Sequence, residues 1–314
     1  MVRHWQKRRD FLRTCARGLP LLATSSLLQV GRSEAAINPS ADPTQGRALV
    51  FDEPFLEING RLWNGGPKAT NGPSGFFGRS AFAPLSGAEG FKPYAIVKDP
   101  DATDGSALQI SAKYIGRNMT ISNYYGNTKP DYQWVSGNLQ MGSSNGVISK
   151  GWARGYFEAR MRFPFHPLTQ PVFWLLNRNS ILNQKRSIEV DIIEHKGFEP
   201  QLYGAYLHEW GQPDEHSEGT GVPTPVDMSK GYYRYGVLIE DGKCIPYFER
   251  KPIINPQTQQ LNVWTMTRAA EFQRDGDVFW PLLTLAMLTD GPPLQLTEEQ
   301  KLTHMRVDYF RVYA

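Results

Sequence analysis

The sequence predicts an all-β fold, a two-sheet β-sandwich jelly roll, and three observations predict it. Aromatic residues, which favour strands, are abundant at 8 Trp, 14 Tyr and 16 Phe. Turn formers are equally abundant, with 29 Gly and 23 Pro in 314 residues. Short β-rich segments recur along the chain, several of them separated by Asp-Gly pairs at 104–105, 241–242 and 275–276, while a helical stripe is hard to find. At 40 % hydrophobic and 21 % charged residues the chain is globular, and its length suits one large all-β domain.

The strand segments, in order, are Leu49–Phe51, Ala107–Ala112, Gly155–Phe163, Val172–Leu176, Ile188–Glu194, Tyr203–His208, Tyr232–Ile239, Pro246–Phe248, Leu282–Leu288 and Met305–Tyr313. Asn262–Phe272 is the best candidate for a helix. The pleat is clear in residues 155–163. Period-two alternation puts Tyr156, Glu158, Arg160 and Arg162 on one face and Phe157, Ala159, Met161 and Phe163 on the other, which should be the core. A face with four large polar groups is either solvent surface or a lined groove.

The first 36 residues read as an export address. Lys7-Arg8-Arg9-Asp10-Phe11-Leu12-Arg13 is followed by a weakly apolar stretch from Gly18 to Val30 and then Ser33-Glu34-Ala35-Ala36. The paired arginines before Phe-Leu resemble a twin-arginine signal, with Lys7 where Ser is usual. The apolar stretch, interrupted by Pro20, is too short to span a bilayer. The expected location is therefore periplasmic or extracellular, with no membrane contact after signal removal. Residues 37–48 read as a linker or flexible N-terminus, and residues 49–314 as one undivided domain. Of 34 Lys and Arg and 31 Asp and Glu, seven and two lie in the first 36 residues, so the body carries a net charge near −2. A slightly acidic body with no basic run argues against a nucleic-acid partner, and a monomer is expected. With Cys15 inside the signal, Cys244 stands alone and reads as a packed strand residue.

The most informative stretch is Ser187-Ile188-Glu189-Val190-Asp191-Ile192-Ile193-Glu194-His195. Alternation places Glu189 and Asp191 on one face but would send Glu194 into the core, where an unpaired carboxylate is costly. A β-bulge at Ile192–Ile193 resets the alternation and returns Glu194 to its partners. Three carboxylates on one face repel one another and raise at least one pKa. Two such groups about 5–5.5 Å apart suit retaining glycoside cleavage, one attacking the sugar and one donating to the leaving oxygen. A metal site and a charged outer strand face are the alternatives; Ca²⁺ would want more oxygens from a loop.

The run Glu189 to Glu194 resembles the signature of glycoside hydrolase family sixteen, in the bulged form of its laminarinase, agarase and carrageenase branches. The flanks agree in order. Gly155–Arg160 is similar to the strand before the signature and Pro171–Leu176 to the tryptophan strand. Tyr235–Val237 with Lys251–Ile253 resembles the later hairpin, and Met305–Tyr313 the closing strand. The likeness spans residues 49–314. It implies a jelly roll with a concave glycan cleft, Glu189 as nucleophile, Glu194 as acid/base, and Asp191 as the residue that tunes the nucleophile. By the same carry-over Glu158, Arg160, Trp174 and His208 would line the cleft; Trp210 is a further candidate, equally plausible as a packing residue. It implies no cofactor for catalysis and allows a structural Ca²⁺ on the convex side with Asp308 as ligand.

Departures from the family pattern bear on specificity. Gln170 stands where laminarinases carry a second tryptophan, Thr284 near a usual Asn, and Leu288-Thr289 where a Gly-Gly turn is common. Stacking platforms decide which sugar face is accepted, so ordinary laminarin is put in doubt. The resulting expectation is a retaining endo-acting hydrolase of a β-linked polysaccharide, whether β-glucan, galactan or bacterial exopolysaccharide. Transglycosylation on the same glycan and a non-catalytic glycan-binding jelly roll are the alternatives.

Overall fold

The computed structural model describes residues 42–66, 80–122, 128–142, 147–178, 180, 186–268, 278–288 and 295–314. The export segment 1–36 and part of the Asn262–Phe272 stretch lie outside the described residues.

Strands dominate. In the first half they are β1 (Leu49–Glu53), β2 (Asn64–Gly65), β3 (Ser80–Phe82), β4 (Tyr94–Lys98), β5 (Ser106–Ser122), β6 (Thr128–Ser136), β7 (Asn138–Gln140), β8 (Gly155–Arg162) and β9 (Thr169–Asn177). The second half adds β10 (Ser187–His195), β11 (Leu202–Trp210), β12 (His216–Pro223), β13 (Tyr233–Glu240), β14 (Lys243–Phe248), β15 (Lys251–Pro252), β16 (Trp264–Thr265), β17 (Phe279–Met287) and β18 (Leu302–Tyr313). Each of the ten segments expected from β-rich composition falls in or overlaps one of these strands. The helix expected at Asn262–Phe272 is not formed over its described part. Trp264–Thr265 instead pairs with β14, because the Trp264 side chain is buried there beside Cys244. Cys244 is itself a buried strand residue whose thiol pKa burial pushes up.

Two sheets form the sandwich. The seven-stranded sheet runs β12-β11-β10-β9-β17-β7-β2. The eleven-stranded sheet runs β15-β14-β13-β8-β18-β5-β6-β3, with β1 on β18, β16 on β14 and β4 on β5. Pairing is antiparallel except for β3 with β6. The facing residues are large and apolar. Phe173 of β9 meets Phe310 of β18 edge-on at 5.9 Å, and Tyr203 of β11 meets Tyr235 of β13 at 5.7 Å. His195, the last residue of β10, stacks on Phe163 at 5.2 Å. These contacts fix which face of each strand is the core, and hence which is the outer face.

In β8 the alternation holds as read. Phe157, Ala159 and Met161 are buried in the core, and Ala159 pairs with Tyr235 and Phe310 in register. Of the stretch read as a linker, residues 42–48 are anchored rather than loose. Ala48 and Ala314 exchange two backbone hydrogen bonds at 3.0 Å, and Arg47 pairs with Glu240 at 2.7 Å.

Candidate active site

The site is built on β10. Its β-branched and apolar interior makes it a strand buried along its whole length. On one side Asp191 pairs with Trp174 and Ile193 with Phe173, so Asp191–Ile193 on β10 faces a single step on β9. On the other side Asp191 pairs with Tyr206 and Glu194 with Gly204, again out of simple register. This is the bulge required by the sequence. Ile193 shares the core face with Phe173, and Glu194 returns to the outer face with Val172. Glu189, Asp191 and Glu194 therefore share the outer face of the seven-stranded sheet, only 5 %, 0 % and 7 % exposed. Charges this poorly hydrated interact strongly, and their hydrogen-bond partners decide which forms are stable.

Each carboxylate has a polar side chain beside it. Trp210 Nε1 donates to Glu189 Oε2 at 2.9 Å. His208 Nε2 lies 3.4 Å from Asp191 Oδ2. The side-chain amide of Gln170 donates to Glu194 Oε1 at 3.4 Å. His208 pairs in register with Glu189, and its Nδ1 meets Ser217 Oγ of β12 at 2.8 Å. Along β11 the rings form a ladder: Tyr206 stacks on His208 at 5.9 Å and His208 on Trp210 at 4.8 Å. A Cβ on Gly204 or Gly219 would run into the Tyr206 ring, so the two glycines leave the space in which that ring lies beside the carboxylate strand. Trp174 forms part of the floor. Its Nε1 donates to Thr284 Oγ1 at 2.8 Å, and that hydroxyl donates to Asn138 at 2.7 Å. Thr284 pairs in register with Asn138 of the neighbouring β7.

Behind Trp210 the loop is clamped. Arg268 donates to the carbonyls of Trp210 and Gly211 at 2.7 and 2.6 Å, and Arg186 to that of Gln212 at 3.1 Å. Glu209, fully buried on the opposite face, accepts from the backbone of Thr267 and Arg268. Hydrogen bonds from Arg186, then from Arg268, hold Asp214 down at about 2.

Two residues expected in the cleft are elsewhere. Glu158 and Arg160 lie on β8 in the other sheet, on its outer face, with the core between them and Glu189. Glu158 is a buried structural anion, held by Arg250 at 2.8 and 2.9 Å and by the hydroxyls of Tyr156 and Tyr309. Arg160 pairs with Asp308 and also donates to the Asp101 carbonyl at 3.2 Å.

That pairing decides the fit of a calcium ion. Asp308 accepts from Thr103 N at 2.9 Å and Thr103 Oγ1 at 2.7 Å besides the Arg160 guanidinium. Both oxygens are taken, one of them by a cation, and the residues do not fit Ca²⁺ at Asp308. The same surface carries Asp99, paired with Arg162 at 3.0 Å and with Arg306, and accepting from Tyr232 Oη at 2.7 Å. Burial alone would push the Asp99 pKa up; the donors around it outweigh burial and hold it below the usual value. At the site itself, Glu189, Asp191 and His208 bring one atom each within 4.8 Å of one another. Of these groups, Glu189 Oε2 accepts from Trp210, and the His208 nitrogens face Asp191 Oδ2 at 3.4 Å and Ser217 Oγ at 2.8 Å.

Sequence reasoning missed Ser217, Tyr206 and the Arg268 clamp. Gln170 was noticed as a departure, and its shared parity with Val172 and Trp174 could have placed it beside Glu194. No pattern in the residues around Ser217 marks it.

The comparisons with solved structures agree with this fold. No protein-family model matches the chain. The chain is 32 % identical over 138 residues to a glucan endo-1,3-beta-glucosidase of Cryptopygus antarcticus, a match covering 43 % of this chain and 48 % of that protein. It thus spans about half the length of that curated relative. Among solved structures, the catalytic domain of an endo-1,3-beta-glucanase (laminarinase) from Thermotoga petrophila superposes with a TM-score of 0.57 at 19 % identity, covering 85 % of this chain and 98 % of that one. A family-sixteen enzyme from a mixed-linkage glucan locus of Bacteroides ovatus gives 0.61 at 15 % identity, covering 84 % and 100 %. The fold is the jelly-roll sandwich of glycoside hydrolase family sixteen structures, and the resemblance read from the sequence stands.

Proposed function

We propose that the chain is a retaining, endo-acting glycoside hydrolase of a β-linked polysaccharide, with β-1,3-glucan the first candidate. The observation that carries this reading is the bulged β10, which aligns Glu189, Asp191 and Glu194 on one buried face with a polar side chain beside each. The choice of glucan is supported by the activity named for the Cryptopygus antarcticus relative.

In the first step a Glu189 carboxylate oxygen bonds to the anomeric carbon while Glu194 gives its proton to the glycosidic oxygen, whose bond to that carbon breaks. In the second, Glu194 takes a proton from water, the water oxygen bonds to the anomeric carbon, and Glu189 leaves as a carboxylate. Trp210 stabilises the ionised nucleophile by donating to it, and Asp191 adds negative charge beside the developing oxocarbenium. Catalysis on this scheme needs no cofactor.

We also propose that residues 1–36 direct export and that the mature chain acts outside the cytoplasm as a monomer. The sequence Lys7-Arg8-Arg9-Asp10-Phe11-Leu12 supports the first part. Replacing Arg8 and Arg9 by Lys together should strand the protein in the cytoplasm on fractionation. Among the described residues no helix is long and apolar enough to cross a membrane.

The activity is tested by product release from a panel of β-1,3- and mixed-linkage glucans, agar, carrageenan and bacterial exopolysaccharides, with Glu189→Ala alongside. Cleavage by the wild type alone supports the reading and names the substrate. Binding without cleavage by the wild type would instead favour a glycan-binding module, and longer products than substrate would favour transglycosylation.

A further inference from the structure

We infer that Ser217 is a positioning residue for the reaction: its hydroxyl sets the tautomer of His208 and lets the His208–Asp191 pair take up one proton beside Glu189. The inference rests on the proposed glycosidase reading for its kinetic consequence, but its structural core does not.

His208 is 2 % exposed and lies between the rings of Tyr206 and Trp210, nearly parallel to both at 23° and 19°. That stack holds the imidazole plane, with Nδ1 facing Ser217 Oγ at 2.8 Å and Nε2 facing Asp191 Oδ2 at 3.4 Å. A neutral imidazole has one N–H, so one nitrogen must donate and the other accept. An ionised carboxylate only accepts, which puts the proton on Nε2 and leaves Nδ1 needing a donor. The Ser217 O–H supplies it. When the pair takes one proton from solvent, Nδ1 becomes a donor as well, and the hydroxyl must turn round to accept. A hydroxyl does both by rotating about one bond. No other side chain at this position, apart from threonine, does so in the same volume.

Among the described residues, the acidic groups nearest the pair lie on β10. β10 presents Asp191 and Glu189, with Glu194 further along the same face. From β12 the outward residues are Ser217, Gly219 and Gly221; Glu218 pairs in register with core-facing Leu207, and it and His216 bond to each other at 2.9 Å. In the loop beyond Trp210, Asp214 is held by Arg186 and Arg268, and Glu215 accepts from Gly211 N. The charge of ionised Glu189, opposite His208 in register, favours the extra proton on the pair; in the first step that charge passes to Glu194, further along the face, as Glu189 becomes a neutral ester. Ser217 is thus the adaptable end of a chain that keeps Asp191 oriented in both charge states.

The test uses the mature full-length protein with ¹⁵N-labelled histidine, and Ser217→Ala and Ser217→Thr beside the wild type. Long-range ¹H–¹⁵N spectra read the His208 tautomer directly. Wild type should show the Nε2–H form at alkaline pH and a doubly protonated ring at low pH. In Ser217→Ala the Nδ1 shift should move and the midpoint fall, because the protonated ring loses its acceptor. Kinetically, Ser217→Ala should lose up to about 100-fold in kcat with little change in KM, as expected when a group near the chemistry is mis-set. Ser217→Thr should restore both readouts. An unchanged His208 spectrum in Ser217→Ala overturns the inference whatever the rates do, and so does a threonine variant as impaired as the alanine one. If wild type cleaves no glycan in the panel, the glycosidase reading fails, while the spectra still decide the Ser217–His208 coupling.

Discussion

The indole Nε1 of Trp210 donates to Glu189 Oε2 at 2.9 Å. A residue expected to line the cleft thus donates to the carboxylate proposed as nucleophile. Its ring lies 4.8 Å from His208, and its carbonyl is gripped by Arg268, so the donor is fixed from three sides. Donation to the ionised form of a carboxylate favours that form. Trp210→Phe keeps a ring in the stack and removes only the donor. The acid limb of the kcat/KM profile should move to higher pH, with a loss of about 10-fold or more at neutral pH, since charge-assisted hydrogen bonds contribute about 1.5–3 kcal/mol. A pH-rate profile across both limbs checks this.

The bulge gives a prediction about length. Because β10 carries one residue more than either neighbour between Asp191 and Glu194, deleting Ile192 removes the extra residue without shifting the pairing beyond it. Glu189, Asp191 and the third carboxylate then alternate onto one face without a bulge. The deletion should fold and keep measurable activity, at a cost of about 2–5 kcal/mol for the lost buried side chain. Inserting one alanine after Ile192 should abolish activity by sending Glu194 inward. Urea melts and assays of both variants separate these outcomes.

The Arg160–Asp308 pair predicts indifference to calcium. Chelator and millimolar Ca²⁺ should leave the wild-type melting temperature unchanged. Arg160→Ala removes the cation from a carboxylate that is 1 % exposed, a loss of about 3 kcal/mol or more by analogy with broken buried pairs. Differential scanning calorimetry with and without the chelator reads both; a drop in wild-type melting temperature on chelation would refute the assignment.

His195 predicts an acid-side loss of stability. Burial pushes its pKa down to about 4, and Nδ1 donates to the Leu202 carbonyl at 3.1 Å. Above pH of about 6.5 the ring is neutral in both folded and unfolded chains and contributes no pH slope. Between that value and about 4 the unfolded chain takes up the proton first, so stability falls with pH, by about 3 kcal/mol in total. His166 and His304 are also lowered by burial and add to the slope in the same direction. His195→Leu should therefore be less stable at neutral pH but lose less on acidification, which denaturant melts at pH 7 and pH 4.5 would show.

How much of this was legible in the sequence depended on range. The bulge was legible because alternation and the cost of a buried carboxylate conflict within nine residues, and only one local device resolves them. The division of β8 into two faces was equally legible, since period two needs no partner. Which outer face belonged to the site was not: Glu158 and Arg160 have the right parity, but their strand joins the other sheet, a fact set by long-range pairing with β13 and β18. Ser217 was invisible for the same reason, being beside His208 only through the register of β12 on β11. The short β16 shows tertiary override of local propensity: Trp264 is drawn into a strand by burial beside β14.

The most direct test of the central claim is the configuration of the first-formed product. Proton NMR, following wild-type hydrolysis of the glucan that the panel identifies, resolves the new reducing end before it mutarotates. Attack by Glu189 followed by water predicts that the β-anomer appears first and the α-anomer only later. An α-anomer appearing first would mean single displacement, and would contradict Glu189 as the nucleophile.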